Sequence, residues 1–306
     1  MAEGPGAGPG ARCGFVAILG APNAGKSTLL NRLVGAKVSI VTPKVQTTRR
    51  RLLGIMVEGQ AQIVFVDTPG IFAPRRRLER AMVRAAWQGA EDADLIVLVI
   101  DASRPRLGDE ARQILDGLKQ AGRRAILALN KIDLIRREKL LGLARALFDE
   151  GIFDEVFMVS AETGDGVEDL LKALLARLPA GPWLYPDDQL SDLPLRDLAA
   201  EITREKLFLQ LRAELPYALT VETESWEDFA DGSLRIGQVI YVERESQRAI
   251  VLGKGGQMIK AVREAAQPEI QELAGRPVHL FLHVKQRADW QEDPERYRAM
   301  GLEYDS

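Results

Sequence analysis

The 306-residue sequence predicts an α/β unit built on a mostly parallel sheet, followed by a smaller α+β unit. Three observations carry this expectation. Near-continuous apolar runs at residues 15–19, 94–100 and 125–129 alternate with helical patterns, as strands covered on both faces do. The first of these runs leads straight into a glycine-rich turn and then a helix at 26–34. Past Pro179 the composition shifts: Pro179, Gly181, Pro182, Pro186, Asp187, Asp188 and Pro194 fall within one short span. The division that follows is a Gly/Pro-rich tail at 1–12, a first unit at 13–179, a proline-stiffened linker at 180–194, a second unit at 195–285 and a tail at 286–306.

The turn after the first strand reads Gly20-Ala21-Pro22-Asn23-Ala24-Gly25-Lys26-Ser27, with Thr28 beside it. Strand, glycine loop and helix form the setting of a phosphate-binding loop. Glycines let successive backbone N–H groups turn toward one anion, and the helix N-terminus adds partial positive charge. Lys26 supplies a point charge for the β- and γ-phosphates, and the Ser27 hydroxyl suits Mg²⁺.

Residues 37–51 are polar and basic and hold Thr42, Thr47 and Thr48. A loop hydroxyl that reaches the metal only when a γ-phosphate is present senses hydrolysis, and Thr48 is favoured over Thr47 for that ligand. Strands at 52–57 and 62–66 lead to Asp67-Thr68-Pro69-Gly70. There the carboxylate would hold Mg²⁺ through water and the Gly70 N–H would meet the γ-phosphate. Helices are expected at 78–90 and 109–121. The strand at 125–129 ends in Asn130-Lys131-Ile132-Asp133. The Asp133 carboxylate can accept hydrogen bonds from the N1–H and 2-amino group of guanine, which adenine lacks; the Lys131 stem would lie along the ring. A strand at 156–159 ends in Ser160-Ala161-Glu162, whose backbone would reach the guanine O6, and Asp165 with Glu168 reads as the capping box of a helix.

In this order the segments Gly20 to Ser27, Thr47/Thr48, Asp67 to Gly70, Asn130 to Asp133 and Ser160-Ala161 resemble the five guanine-nucleotide motifs of the small GTPase-like family. The resemblance implies a P-loop GTPase fold, GTP and GDP as ligands, Mg²⁺ dependence and hydrolysis to GDP, with Lys26, Thr48 and Gly70 at the reacting phosphate. One position departs from the family: Ile71 stands where signalling members carry a water-orienting Gln. An aliphatic chain cannot orient water by hydrogen bonding, so slow intrinsic turnover is expected, with the water positioned by backbone, by a cation or by a partner.

In the second unit, a helix at 195–213 has Leu195, Leu198, Ile202 and Leu209 as its shared face. Strands follow at 218–224 and 236–242, and residues 246–252 fit either a strand or a short helix. Then come Gly253-Lys254-Gly255-Gly256, a helix at 257–273 and a strand at 278–284. A Gly-x-x-Gly loop opening a helix lets a nucleic-acid backbone come close, and Lys254, Lys260 and Arg263 add cations. With Ile250, Val251, Leu252 and Ile259 around it, the loop resembles a KH module of type II. Together the two units resemble the bacterial ribosome-assembly GTPases. That likeness implies binding near the 3′ end of 16S rRNA, action on the small ribosomal subunit, a monomer in the cytoplasm and loose attachment to the inner membrane face. A carboxy-terminal module that docks protein instead of RNA is the alternative.

Bulk properties narrow the field. The net charge of −3 carries no global field for nucleic acid, so no DNA partner is expected and any polyanion site is a local patch. The one cysteine, Cys13, fits a reducing compartment and reads as a small buried hydrophobe. His279 and His283 alternate with apolar residues and read as structural sheet positions, with no Cys/His cluster around them. The longest apolar run, 95–100, is far too short to span a bilayer.

Overall fold

The computed structural model describes residues 10–304 apart from Arg75 and Pro105, so most of the expected amino-terminal tail lies outside the described residues. Two compact units emerge, and each is described by itself.

The first unit runs β1 (Arg12–Leu19), α1 (Lys26–Val34), β2 (Leu52–Glu58), β3 (Ala61–Asp67), α2 (Arg77–Glu91), β4 (Leu95–Asp101), α3 (Asp109–Gln120), β5 (Ala125–Asn130), α4 (Arg137–Phe148), β6 (Phe153–Met158) and α5 (Val167–Arg177). Its six-stranded sheet has the order β2-β3-β1-β4-β5-β6. Only β2 pairs antiparallel, with β3; every other pairing is parallel. The apolar runs are central strands: Val16, Ala17, Ile18 and Leu19 are fully buried, as are Val64, Phe65, Leu127, Ala128 and Leu129. Parallel register brings the carboxyl ends of β1, β3, β4 and β5 to one edge, where ligands of open α/β sheets bind.

Two stretches differ from the sequence expectation. α4 is absent from it, because only Leu140 and Leu147 of that helix are buried and no clear stripe results. The proline-rich span at 180–194 is not a free linker. It lies along the edge strand β2 and its neighbour: Ile55 N donates to Leu190 O at 2.8 Å and Leu53 N to the Asp192 carboxylate at 2.8 Å. The buried Gln62 carboxamide accepts from the backbone N–H of Leu184 and Tyr185 and donates to Tyr185 O. An uncovered edge would offer unpaired ladder groups to other chains, and this span covers it.

The second unit comprises Leu193–Tyr297 together with Ile40–Thr47. It runs α6 (Leu195–Gln210), β7 (Leu219–Asp228), β8 (Leu234–Val242), α7 (Glu245–Leu252), α8 (Gln257–Ala274), β9 (Val278–Gln286) and α9 (Pro294–Ala299). β8 is the middle strand, antiparallel to β7 and parallel to β9. Residues left open between strand and helix form α7. The expected face of α6 is corrected: Leu198 and Ile202 are buried, but Leu195 and Leu209 are exposed, and Leu207 and Phe208 take their place inside. Residues 40–47, read with the first unit, join the second through the Val41 N–H, which donates to the Glu205 carboxylate at 2.8 Å, and through Lys44, whose ammonium donates to Leu211 O at 2.8 Å.

The stretch read as a carboxy-terminal tail is folded. Trp290 is 1% exposed and its indole N–H donates to Ala218 O. The Arg296 guanidinium stacks over Tyr241 and binds the Glu222 carboxylate at 2.6 Å. Trp290→Ala should therefore cost about 3–5 kcal/mol of stability in the second unit. Urea unfolding followed by circular dichroism checks this, and a variant within 0.5 kcal/mol (an ordinary surface change, roughly) would mean the segment is merely draped on the unit.

Candidate functional site

The turn between β1 and α1 is shaped by glycine at the point of closest approach. Gly25 caps α1 with φ +97°, and a Cβ there would meet the Asn130 carboxamide nitrogen at 2.2 Å. Asn130 ends β5; its Nδ2 donates to Ala24 O at 2.8 Å and its Oδ1 accepts from Ala161 N–H at 2.9 Å. One side chain thus joins the phosphate loop, the base segment and the segment at 160–162. Lys131, in the left-handed region at φ +67°, donates from its ammonium to Asn23 O at 2.8 Å. Asp133 lies in a short 3-10 turn with an exposed carboxylate. Ser160 is buried, and its hydroxyl accepts from Thr163 N–H. Arg32 of α1 donates to the carbonyls of Ala161 and Glu162, a support the sequence reading missed.

At the phosphate end, Lys26 is buried and its ammonium donates to Gly20 O at 3.0 Å and Ala21 O at 3.1 Å. Burial lowers its pKa to about 8, opposed by the nearby Asp67 charge. Asp67, at the end of β3, is fully buried, and burial pushes its carboxyl above the ordinary range against the pull of Lys26 and three hydroxyls. Its Oδ2 accepts from Ser27 Oγ at 2.9 Å, Ser39 Oγ at 2.9 Å and Thr48 Oγ1 at 3.4 Å. Ser39 had no sequence signal. Asp67 Oδ1 is buried with no protein partner. Ser27 Oγ and Thr48 Oγ1 are 3.0 Å apart. Two hydroxyls converging on a carboxylate with one oxygen to spare suit a hard, oxygen-liganded cation such as Mg²⁺. Among the described residues no cluster of three His, Cys, Asp or Glu side chains offers a softer metal site. Thr47 faces elsewhere: its hydroxyl meets Thr42 Oγ1 at 2.6 Å and donates to Lys44 O at 2.7 Å.

Thr68 donates its hydroxyl to Ile18 O at 2.9 Å, which fixes the start of the loop through Pro69 and Gly70. Gly70 packs against Pro22. Ile71 is 3% exposed and sits in the core with Leu19 and Ala86, while its N–H donates to Gly20 O. The expected capping box at Asp165 and Glu168 does not form. α5 starts one residue later, on Gly166 in the left-handed region, and Glu168 pairs with Lys172 instead.

In the second unit, Gly253, Gly255 and Gly256 all have positive φ, and a Cβ on Gly253 would meet Met258 Cβ at 2.7 Å. The loop therefore folds tightly onto the start of α8, with Lys254 exposed. Ile259, Lys260 and Arg263 of α8 face Leu280, Phe281, Leu282 and His283 of β9 across a groove of about 300 Å³. His279 and His283, expected as structural, lie on the exposed face of β9, and His283 lines the groove.

Similarity to known proteins follows the same division. The family described as 50S ribosome-binding GTPase matches residues 15–131, and the KH domain family matches residues 214–291. GTPase Era of Rhizobium meliloti is 63% identical over 96% of this chain and 93% of its own length. GTPase Era of Caulobacter vibrioides is 56% identical over 96% and 97%. Two solved structures each superimpose with a TM-score of 0.88 at 40% identity, over 95% of this chain and 99% of theirs. One is Era in complex with MgGDPNP and nucleotides 1506–1542 of 16S ribosomal RNA; the other is an Aquifex aeolicus Era variant bound to GDP and AlF4⁻. A P-loop GTPase unit, a KH unit and whole-length identity of this order place the chain in the GTPase Era family.

Proposed function

We propose that the chain binds GTP with Mg²⁺, hydrolyses it to GDP and phosphate, and through its second unit binds the 3′ end of 16S rRNA during small-subunit assembly. The observation that carries the nucleotide half is the buried Asp67 with Ser27 and Thr48 gathered on it, beneath a loop clamped by Asn130. The backbone amides from Gly20 to Thr28 would wrap the phosphates, with the Lys26 ammonium between the β- and γ-groups. Ser27 and Thr48 would hold Mg²⁺ directly and Asp67 through water, and the ion would neutralise charge on the phosphate oxygens. Gly70 N–H would donate to the γ-phosphate. Ile71 lies in the core, so no side chain at that position orients the attacking water. Slow intrinsic turnover follows, with the water placed by backbone, by a cation or by a partner.

The relative solved with 16S rRNA nucleotides supports an RNA role for the Gly253-Lys254-Gly255-Gly256 loop, Ile259, Lys260 and Arg263. Kinship with ribosome-assembly GTPases also favours the cytoplasm, with loose attachment to the inner membrane face. No helix among the described residues is long and apolar enough to cross a membrane.

Three measurements test this reading. Asp133→Asn should move preference from GTP toward XTP in competition binding, and retained preference for GTP would remove Asp133 from base selection. Replacing Lys254 and Gly255 together by Asp should weaken RNA binding by about a hundredfold or more while sparing GTP affinity. Unchanged RNA affinity would favour a protein-docking module. The third concerns pH. Burial holds Lys26 at a pKa of about 8, against an ordinary value of 10.5. Phosphate needs the ammonium, so above pH 8 affinity should fall by up to about tenfold per unit. Over the same window the unfolded chain holds the extra proton, so this group makes the empty protein more stable as pH rises. Fluorescent-nucleotide titrations and urea melts should thus move in opposite directions, and a flat binding profile would show that burial does not hold Lys26 in this state.

A further inference from the structure

We propose that Asp101, outside all five nucleotide motifs, is a positioning residue for the bound nucleotide, holding the Lys131 ammonium where that side chain clamps the phosphate loop. The inference rests on reading Lys131 as a nucleotide contact. Asp101 is the last residue of β4 and lies beside Asn130 in the parallel register with β5. Its Oδ2 accepts from Lys131 Nζ at 2.7 Å, and the same ammonium donates to Asn23 O at 2.8 Å. The Asp101 side chain is 11% exposed and that of Lys131 30%, so the carboxylate is the shielded half of the pair. Its other oxygen accepts from Ser103 N–H at 3.0 Å and from the Ser103 hydroxyl, which fixes its rotamer. Arg104 stands farther off, at 3.7 Å, and is half-exposed.

Two consecutive loop carbonyls are therefore gripped by two consecutive residues, Ala24 O by Asn130 and Asn23 O by Lys131. In a trans peptide the C=O of one residue and the N–H of the next point opposite ways. Gripping the Asn23 and Ala24 carbonyls from outside fixes the two peptide planes: the Ala24 N–H turns inward to Ala21 O at 3.3 Å, and the Gly25 N–H is set in the direction meant for phosphate. Asn130 is buried and held by its two bonds. Lys131 has a long, partly exposed stem, and without a counter-charge its ammonium is free to leave the loop for water. Asp101 supplies that counter-charge.

The test measures release of fluorescent GDP and GTP-to-XTP competition in the full chain. Asp101→Asn keeps the shape and removes the charge, and it should speed GDP release by about tenfold. It should leave the GTP-to-XTP preference unchanged, because Asp133 is untouched. Asp101→Glu should restore most of the slow release, and Ser103→Ala should change it little. Lys131→Ala should also speed release, and the double variant should be no faster than Lys131→Ala alone. Wild-type release from Asp101→Asn beside fast release from Lys131→Ala would overturn the role of Asp101 alone. Additive effects would do the same. Unchanged release from Lys131→Ala would overturn the reading of Lys131, and this inference with it.

Discussion

A single buried carboxamide, that of Asn130, is the constraint on which the nucleotide site depends. It is 2% exposed and spends its donor on the phosphate loop and its acceptor on the backbone at Ala161. A buried amide deprived of either partner costs about 1–3 kcal/mol, so the three segments it joins hold one another in register. The requirement runs backward to Gly25, where any side chain would occupy the space of that amide. It also runs outward to the sheet, because only a central parallel strand ends deep enough to bring an Asn beneath the loop. The segments proposed for base recognition and for phosphate binding are thus parts of one hydrogen-bonded body.

The same site is electrostatically unsettled. Lys26 and Asp67 are both buried, and burial disfavours the charged form of each. Each has its pKa moved in the direction that makes charging costly, and their mutual attraction offsets only part of this. Such groups cost the fold stability, and the proposed nucleotide and Mg²⁺ would relieve both, which is how a functional site departs from the consistency of the rest of the chain. The Asp67 oxygen with no protein partner belongs to the same account.

Much of this was legible in the sequence, and the rest hid for identifiable reasons. Strands covered on both faces declare themselves by apolar runs, so β1, β4 and β5 were readable, and the phosphate loop followed from its flanks. α4 escaped because Leu141 and Phe148, 65% and 47% exposed, stand beside the buried Leu140 and Leu147, so its apolar residues trace no single stripe. Proline suggested a linker at 180–194, but Gln62, a polar residue inside a central strand, binds that span through three hydrogen bonds that no local pattern announces. Trp290 lies in a charged stretch and meets its carbonyl partner 72 residues away. Thr47 and Thr48 are neighbours of identical chemistry, separated only by which hydroxyl the backbone turns toward Asp67. Asp101 carried no signal because an acidic residue at a strand end is ordinary until the lysine 30 positions on is seen beside it.

How a chain of net charge −3 would hold RNA is answered by locality. Surface charge acts over about 10 Å at ordinary salt, so the groove responds to its own lining and not to the sum. That lining carries Lys260 and Arg263, with Lys254 in the adjoining loop. α8 opens on Gly256 with no side-chain cap and no acidic residue in its first turn, so its amide end stays positively polarised where a phosphate would lie. The opposite wall ends in Phe281, whose ring has the Arg235 guanidinium over it at 5.1 Å, and in His283, and it contributes no carboxylate. Cations and helix amides on one side and rings on the other support the proposal of a single-stranded polyanion in this groove over a protein surface.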